Sequence, residues 1–267
     1  MRLLKQLIRR VYACVQERRW VRALMTRRFS SGKVALGEQN RYGVRPEWIT
    51  VDLEDADINV NFRRHHPLPF PDHSQSIIYS AHVLEHVDDA TVRYLLRECH
   101  RVLKPGGHLR VEVPDLEVVV EAYRRNDQVV LAPLCQEHQR TLVNARQFPA
   151  VYAEPHVALL GVASSYIDQE TQVPVLTTKE EVEARLVSLS VEAFGRWCVS
   201  LQTPQQRESG GHVNPMSFDI LSHLLREAGF REIARRHNGQ TLIPHLQLNG
   251  LERPHRSFCS LYVEACK

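Results

Sequence analysis

The chain has 267 residues, 43% of them hydrophobic, and a formal net charge of +3, which suits a soluble enzyme with one sizeable core and an insertion. Its six cysteines (14, 99, 135, 198, 259 and 266) are scattered without a Cys-x-x-Cys pair, which excludes a zinc knuckle or disulfide framework and fits a reducing, cytoplasmic compartment. No apolar run approaches the roughly 18 residues of a membrane span, and charges break every candidate signal-peptide core.

Residues 1–28 carry nine Lys/Arg and one acid, Glu17, a local net of +8, so residues 29–267 sum to −5. Apolar residues at 3, 4, 7, 8, 11, 12 and 15, then 21, 24 and 25, keep helical spacing with a phase break near Glu17–Arg19. This predicts a basic amphipathic segment, one helix or two, docked on the domain or lying on anionic membrane; nucleic acid is not the expected partner. A short β-rich run at 33–36 ends at Gly37, and a second at 48–53 holds Asp52 near its end. Only ten residues separate Gly37 from Trp48, too few for an ordinary crossover helix with its loops, so a turn-rich link through Asn40, Gly43 and Pro46 is expected.

Residues 76–81 form the next apolar run, followed at once by His82, Glu85 and His86. Asp88 and Asp89 are N-caps for a helix that places Val92, Leu95, Leu96, Cys99, Val102 and Leu103 on one face. Pro105-Gly106-Gly107 is read as its stop, and 109–113 alternates as a strand up to Pro114-Asp115. Strand–helix–strand of this length is a right-handed βαβ unit, and ligands sit beyond the carboxyl ends of such strands, beside His82–His86 and Asp115.

Beyond Asp115 the chain reads mostly helical to about residue 209, periodic at 117–125, 129–146 and 179–202 and broken at Pro133, Pro149 and Pro174. Asp115 either caps the first of these helices or, at the ligand edge, acts as a base. Arg196-Trp197 and Tyr166 are candidates for a pocket wall, with core packing as the competing fate. His156 lies inside this region, and His212 lies in the flexible run Ser209-Gly210-Gly211-His212. A helix at 217–228, ended by Gly229-Phe230, and strands at 232–236 and 257–265 close the chain.

The runs Leu68-Pro69-Phe70-Pro71-Asp72-His73-Ser74, His82-Val83-Leu84-Glu85-His86-Val87 and 101–115 (RVLKPGGHLRVEVPD), in this order, resemble the middle of class I S-adenosylmethionine-dependent methyltransferases. The likeness is to the small bacterial type associated with glycan and lipopolysaccharide biosynthesis. It covers about 33–115 and returns at 215–267. It implies an α/β fold, a Rossmann-like class I methyltransferase sheet with flanking helices and a helical insertion. Its parts would be a basic amphipathic helix (1–28), a first part of the core (29–115), a helical insertion on the acceptor side (116–214) and the rest of the core (215–267).

The same resemblance implies S-adenosylmethionine as cofactor. Gly37 would let backbone approach its methionine part, and Asp52 would accept from the ribose hydroxyls, turn formation being its other reading. Asn61 would lie beside the adenine and Leu68 on the adenine face, or Leu68 is a plain loop anchor. Relatives tend to read Leu-Gly-Cys-Gly-Asn where this chain has Leu36-Gly37-Glu38-Gln39-Asn40, so a side chain stands where a second glycine is usual. His82, Glu85 and His86 admit three readings: a hydrogen-bonded turn shaping the cofactor loop, a general base, or a divalent-metal site like the Glu-x-x-Glu-His of some quinone-pathway methyltransferases. His82 replaces the first carboxylate and further ligands are missing, so no metal is expected. The expected reaction is methyl transfer to a hydroxyl of a saccharide, glycolipid or other small acceptor, with His86, His212 or Asp115 as base and His156 behind them. The alternative is a catalytically inactive methyltransferase-fold protein that binds or regulates.

Overall fold

A computed structural model describes residues 31–38, 47–164, 177–208, 210–248, 251–252 and 254–267. The basic segment 1–28, Gln39 with the link through Asn40, Gly43 and Pro46, and Tyr166 lie outside the described residues. Seven strands form one sheet in the order β3-β2-β1-β4-β5-β7-β6. They are β1 (Lys33–Leu36), β2 (Ile49–Asp52), β3 (Ile58–Asn59), β4 (Gln75–Ala81), β5 (Leu103–Pro114), β6 (Arg231–Arg236) and β7 (Ser260–Cys266). The first five pair in parallel, while β7 runs antiparallel between β5 and β6. This is the Rossmann-like class I methyltransferase sheet that the sequence implied.

Strand periodicity divides the core between the two faces of this sheet. Val34, Leu36, Ile49, Val51 and Ile78 point to one face, under helices α1 (Asp89–Val102) and the C-terminal helix Phe218–Glu227. Ala35, Ile77, Tyr79 and Ala81 point to the other, where Trp48, Ile243, Leu246 and Leu251 cover them. Helix α1 forms because six buried positions fall on one face and the Asp88 carboxylate accepts the Thr91 N–H, satisfying an open donor of the first turn. It ends at Val102, with Leu103 already extended. Pro105-Gly106-Gly107 therefore lies inside β5 and is not the helix stop; Gly106 and Gly107 pair there with the backbone of Lys267.

Between β5 and the C-terminal helix the chain is helical: α2 (Leu116–Arg125), α3 (Gln128–His138), α4 (Pro155–Ala163), α5 (Lys179–Ser188), α6 (Val191–Ser200) and the short α7 (Pro204–Glu208); α8 is Phe218–Glu227. Helices α2 to α6 share a second core around Val119, Leu160, Val182 and Phe194. The periodic stretch 179–202 is two helices, not one, because the Ser190 hydroxyl caps a new start by accepting the Ala193 N–H. The stretch 129–146 is α3 continued by a wide π-turn over Gln139–Asn144. No helix among the described residues is long and apolar enough to cross a membrane.

Candidate active site

The carboxyl ends of β1, β2 and β4 open on one cleft of about 770 Å³, lined by Gly37, Asp52, Asn61, His82, His86 and His212 among others. At the end of β1, Gly37 has φ +77, and its N–H donates to the Val51 carbonyl at 2.9 Å. A Cβ there would stand 2.3 Å from the Val83 side chain and 2.5 Å from the Ala81 carbonyl oxygen, so the crossing of β1 past β4 requires glycine. Glu38, beside it, is buried and does not line the cleft. Asp52 ends β2 with one carboxylate oxygen accepting the Leu53 N–H at 2.6 Å. Asn61 caps the single turn Phe62–Arg64 by accepting the Arg63 N–H at 3.1 Å. The Arg63 guanidinium spans the cleft edge, donating to the Glu208 carbonyl at 3.1 Å and the His86 carbonyl at 2.9 Å.

Beyond β4 the backbone turns sharply at His82, which has φ 52, and makes a single 3₁₀ turn over Leu84–His86. His82 Nδ1 lies 2.9 Å from a Glu85 carboxylate oxygen and Nε2 lies 3.4 Å from Glu112 on β5. Both carboxylates are buried. Burial alone would lower the His82 pKa; hydrogen bonds and charge from Glu112 and Glu85 outweigh it and raise the imidazole to about 9. Burial raises Glu85, yet the His82 imidazolium wins there too and holds it at about 2. Glu112 is likewise held below the usual carboxylate range, with the Tyr79 hydroxyl donating to it at 2.5 Å and Tyr262 at 3.3 Å. His82 is thus an imidazolium clamped between two carboxylates, the hydrogen-bonded turn among the three sequence readings.

Two further histidines meet above this turn. His86 Nδ1 donates to the Gly210 carbonyl at 2.8 Å, and His212 Nδ1 donates to the Val162 carbonyl at 3.0 Å. Their rings stand edge to face with centroids 4.9 Å apart. Burial, aided by the charge of His86, pushes the His212 pKa down to about 4, so His212 is neutral at physiological pH. The backbone N–H groups of Val213 and Asn214 donate to the Glu85 carbonyl, which ties the His212 loop to the β4 turn. Glu85, His86 and His212 offer ligand atoms within 4.8 Å of one another. Glu85, however, already neutralises the His82 imidazolium, and we assign no ion to the group.

A second cavity, about 410 Å³, lies past the end of β5, with Pro114, Leu134, Tyr152, Val162 and Phe258 in its wall. His82, His212 and Arg256 line both this cavity and the cleft, so the two share a wall. Helix α4 can bring Val157 and Val162 to it because Gly161 leaves room for the His138 ring, 2.7 Å from where a Cβ would be.

Not every expected site residue reaches these cavities. Leu68 is not on the cleft: it is buried in the sheet core, its N–H held by Glu98 at 2.8 Å and its carbonyl by Arg101 at 3.0 Å. Asp115 is in neither cavity. It is 1% exposed, caps α2 through the Val118 N–H at 3.3 Å, and pairs with Arg235, while burial raises its pKa. His156 is buried in the first turn of α4, 3.5 Å from Glu154. Arg196 pairs with Glu192 and Trp197 packs on Phe194 in the helical core. Conversely, Arg256, Phe258 and Tyr152 were not singled out from sequence, because no local motif marks them as facing a cavity.

Residues 36–111 match a family model described as "Methyltransferase domain". No curated protein matches. A solved structure described as an S-adenosylmethionine-dependent methyltransferase, possible histamine N-methyltransferase, from Thermotoga maritima is similar, with 16% identity, 93% of this chain and 94% of that one covered, and TM-score 0.42. A second, from Archaeoglobus fulgidus, has 11% identity, 94% of each chain covered and TM-score 0.39. A third, from Mesorhizobium loti, has 16% identity, 88% and 90% covered and TM-score 0.37. The matched segment runs from the last residue of β1 into β5 and so contains Asp52, Asn61 and the His82–His86 turn. The cleft fits the cofactor this match supports: Gly37 at the end of β1 lines it, the Asp52 carboxylate at the end of β2 lines it too, and the volume is ample. Sheet order and matched domain together give this chain a Rossmann-like class I methyltransferase fold with S-adenosylmethionine as its cofactor.

Proposed function

We propose that the protein transfers the methyl group of S-adenosylmethionine to a hydroxyl of a small acceptor seated in the 410 Å³ cavity. The saccharide or glycolipid hydroxyl is the class that the sequence resemblance points to. The observation that carries this reading is the shared wall: His212 faces both the cofactor cleft and the acceptor cavity. When bound, the cofactor supplies an activated methyl on a sulfonium. The protein's share is alignment, exclusion of water and removal of one proton. Gly37 and Asp52 would hold the methionine and ribose parts, Asn61 the adenine side, and His82 would fix the turn between them. His212, neutral and anchored through Nδ1, is the proposed base, with His86 beside it to orient the ring.

Titration calorimetry with S-adenosylhomocysteine tests the cofactor half. Wild-type protein should bind it, and Asp52→Ala should weaken binding by about 1.5–3 kcal/mol through lost charge-assisted hydrogen bonds. No heat at saturating ligand would refute the enzyme reading and favour the binding-protein alternative.

A further inference from the structure

The acceptor cavity has an uneven wall. Leu134, Leu142, Tyr152, Val157, Val162 and Phe258 supply an apolar body. No Asn, Gln or Asp lines it among the described residues, so side-chain amides and free carboxylates to pair with a sugar ring are scarce; its other polar groups include the Thr141 and Ser260 hydroxyls and the His255 imidazole. Its charges are also out of balance. Glu137, the one carboxylate in the described lining, is gripped by Arg140 through contacts of 2.8, 3.0 and 3.2 Å. Arg146 and Arg256 also line the cavity, and neither pairs with a carboxylate among the described residues. His138 adds no charge at neutral pH, since burial lowers its pKa while Nδ1 donates to the Tyr152 carbonyl. The His82 imidazolium is spent on Glu85 and Glu112. What remains is a largely apolar wall with two guanidinium groups that no carboxylate neutralises among the described residues, Arg146 exposed to solvent and Arg256 half-buried at the junction with the cofactor cleft.

We infer that the acceptor is an amphipathic anion: a compact apolar or aromatic body carrying the reacting hydroxyl and a carboxylate, phosphate or sulfate that pairs with Arg146 and Arg256. The inference rests on the methyltransferase reading and narrows it. Guanidinium recognises such oxyanions through paired, charge-assisted hydrogen bonds, and the apolar wall contributes in proportion to the area it covers. A neutral sugar would offer neither guanidinium an oxyanion and would set hydroxyls against Leu134 and Phe258.

The experiment uses full-length protein with 2-naphthoate, its neutral isostere 2-naphthamide, and D-glucuronate as probes. Binding of S-adenosylhomocysteine is measured first, by calorimetry, for wild type, Arg146→Gln and Arg256→Gln. Its absence overturns the methyltransferase reading, and the probes are then compared on the free protein, so the two failures are told apart. The expected result is that naphthoate binds at least about tenfold tighter than naphthamide. Each arginine variant should shrink that ratio severalfold, while Arg146→Gln leaves S-adenosylhomocysteine affinity unchanged. Equal binding of acid and amide, a ratio that survives both variants, or binding of glucuronate without naphthoate would overturn the inference. So would an Arg256→Gln variant that loses S-adenosylhomocysteine affinity but keeps the ratio, because Arg256 would then serve the cofactor's carboxylate.

Discussion

Replacing His82 by Gln removes a buried cation from between two buried carboxylates while keeping a side chain of similar reach. In the folded protein the imidazole is raised from 6.5 to about 9, which corresponds to roughly 3 kcal/mol of preference for the charged form. A folded-state pKa above the unfolded one means that this stabilisation is fully present below about pH 6.5 and is lost as pH rises through about 9. Glu85 works in the opposite sense: held at about 2 against 4.5, its contribution is present above pH 4.5 and lost as pH falls through about 2. Both act together between about pH 4.5 and 6.5. In His82→Gln, Glu85 and Glu112 are left without their cation, and the cost of such a vacancy is about 3–5 kcal/mol. Urea unfolding followed by circular dichroism should therefore show the largest gap between wild type and variant near about pH 6. The gap should close toward about pH 9.5, where wild-type His82 has itself lost its proton. A constant gap across that range, or a wild-type stability that does not fall between neutral pH and about pH 9.5, would show that His82 is not the buried imidazolium the geometry makes it.

Gly37→Ala should destabilise the fold by about 2 kcal/mol in the same assay, combining the left-handed backbone with a 2.5 Å approach to the Ala81 carbonyl that no rotamer relieves; a change within about 0.5 kcal/mol would refute the close crossing. His212→Gln should lower turnover by roughly 10²–10⁴-fold with S-adenosylhomocysteine affinity nearly unchanged. With its pKa pushed to about 4, the wild-type rate should hold as pH falls from 7 to about 5 and drop only through about 4; a limb near about 6.5 in wild type would point to a different base. For residues 1–28, sedimentation with anionic liposomes should weaken steeply with salt and vanish on their deletion; an intact chain that never sediments with liposomes would leave the segment to the fold.

The sheet was legible in the sequence because its signals are local. The β-rich apolar runs at 33–36 and 76–81, the Asp88 cap and the buried face of α1 each follow from residues within one turn or strand of one another. The helix end was misread because Pro105-Gly106-Gly107 looks like a stop, whereas β4 pairs on either side of it, at Leu103 and His108, and the backbone of Lys267, far along the chain, pairs with its two glycines within β5. Helix α4 gave no signal at all: seven of its nine residues are buried, so no polar face marks a period. The site divides in the same way. Gly37, Asp52, Asn61, His82 and His86 lie at strand ends and could be placed by counting strands. Leu68 and Asp115 each had two readings, and the structural one of each, loop anchor and helix cap, is what the fold shows, with Arg101 and Arg235 arriving from other elements to bind them into the scaffold. Arg256 and Phe258 reach the acceptor cavity only because β7 runs antiparallel to β5 and carries the segment before it to the ligand edge.

Under the proposed function, the three titratable groups behind the cleft meet conflicting requirements. Two bare carboxylates beside a sulfonium would hold it tightly, but that charge disappears as the methyl leaves, so the attraction would favour the ground state over the transition state. One imidazolium against two carboxylates leaves a net of minus one in place of minus two, which keeps some attraction for the cation while halving this penalty. The same clamp disqualifies His82 as the base, since at neutral pH both its nitrogens carry protons. Proton removal then falls to a histidine kept neutral, and His212 is that residue because burial and the charge of His86 outweigh the Val162 hydrogen bond and the charge of Glu85. Exchanging their surroundings would exchange their roles: one histidine is fixed as a cation by Glu85 and Glu112, the other is kept neutral by burial and so left able to accept a proton.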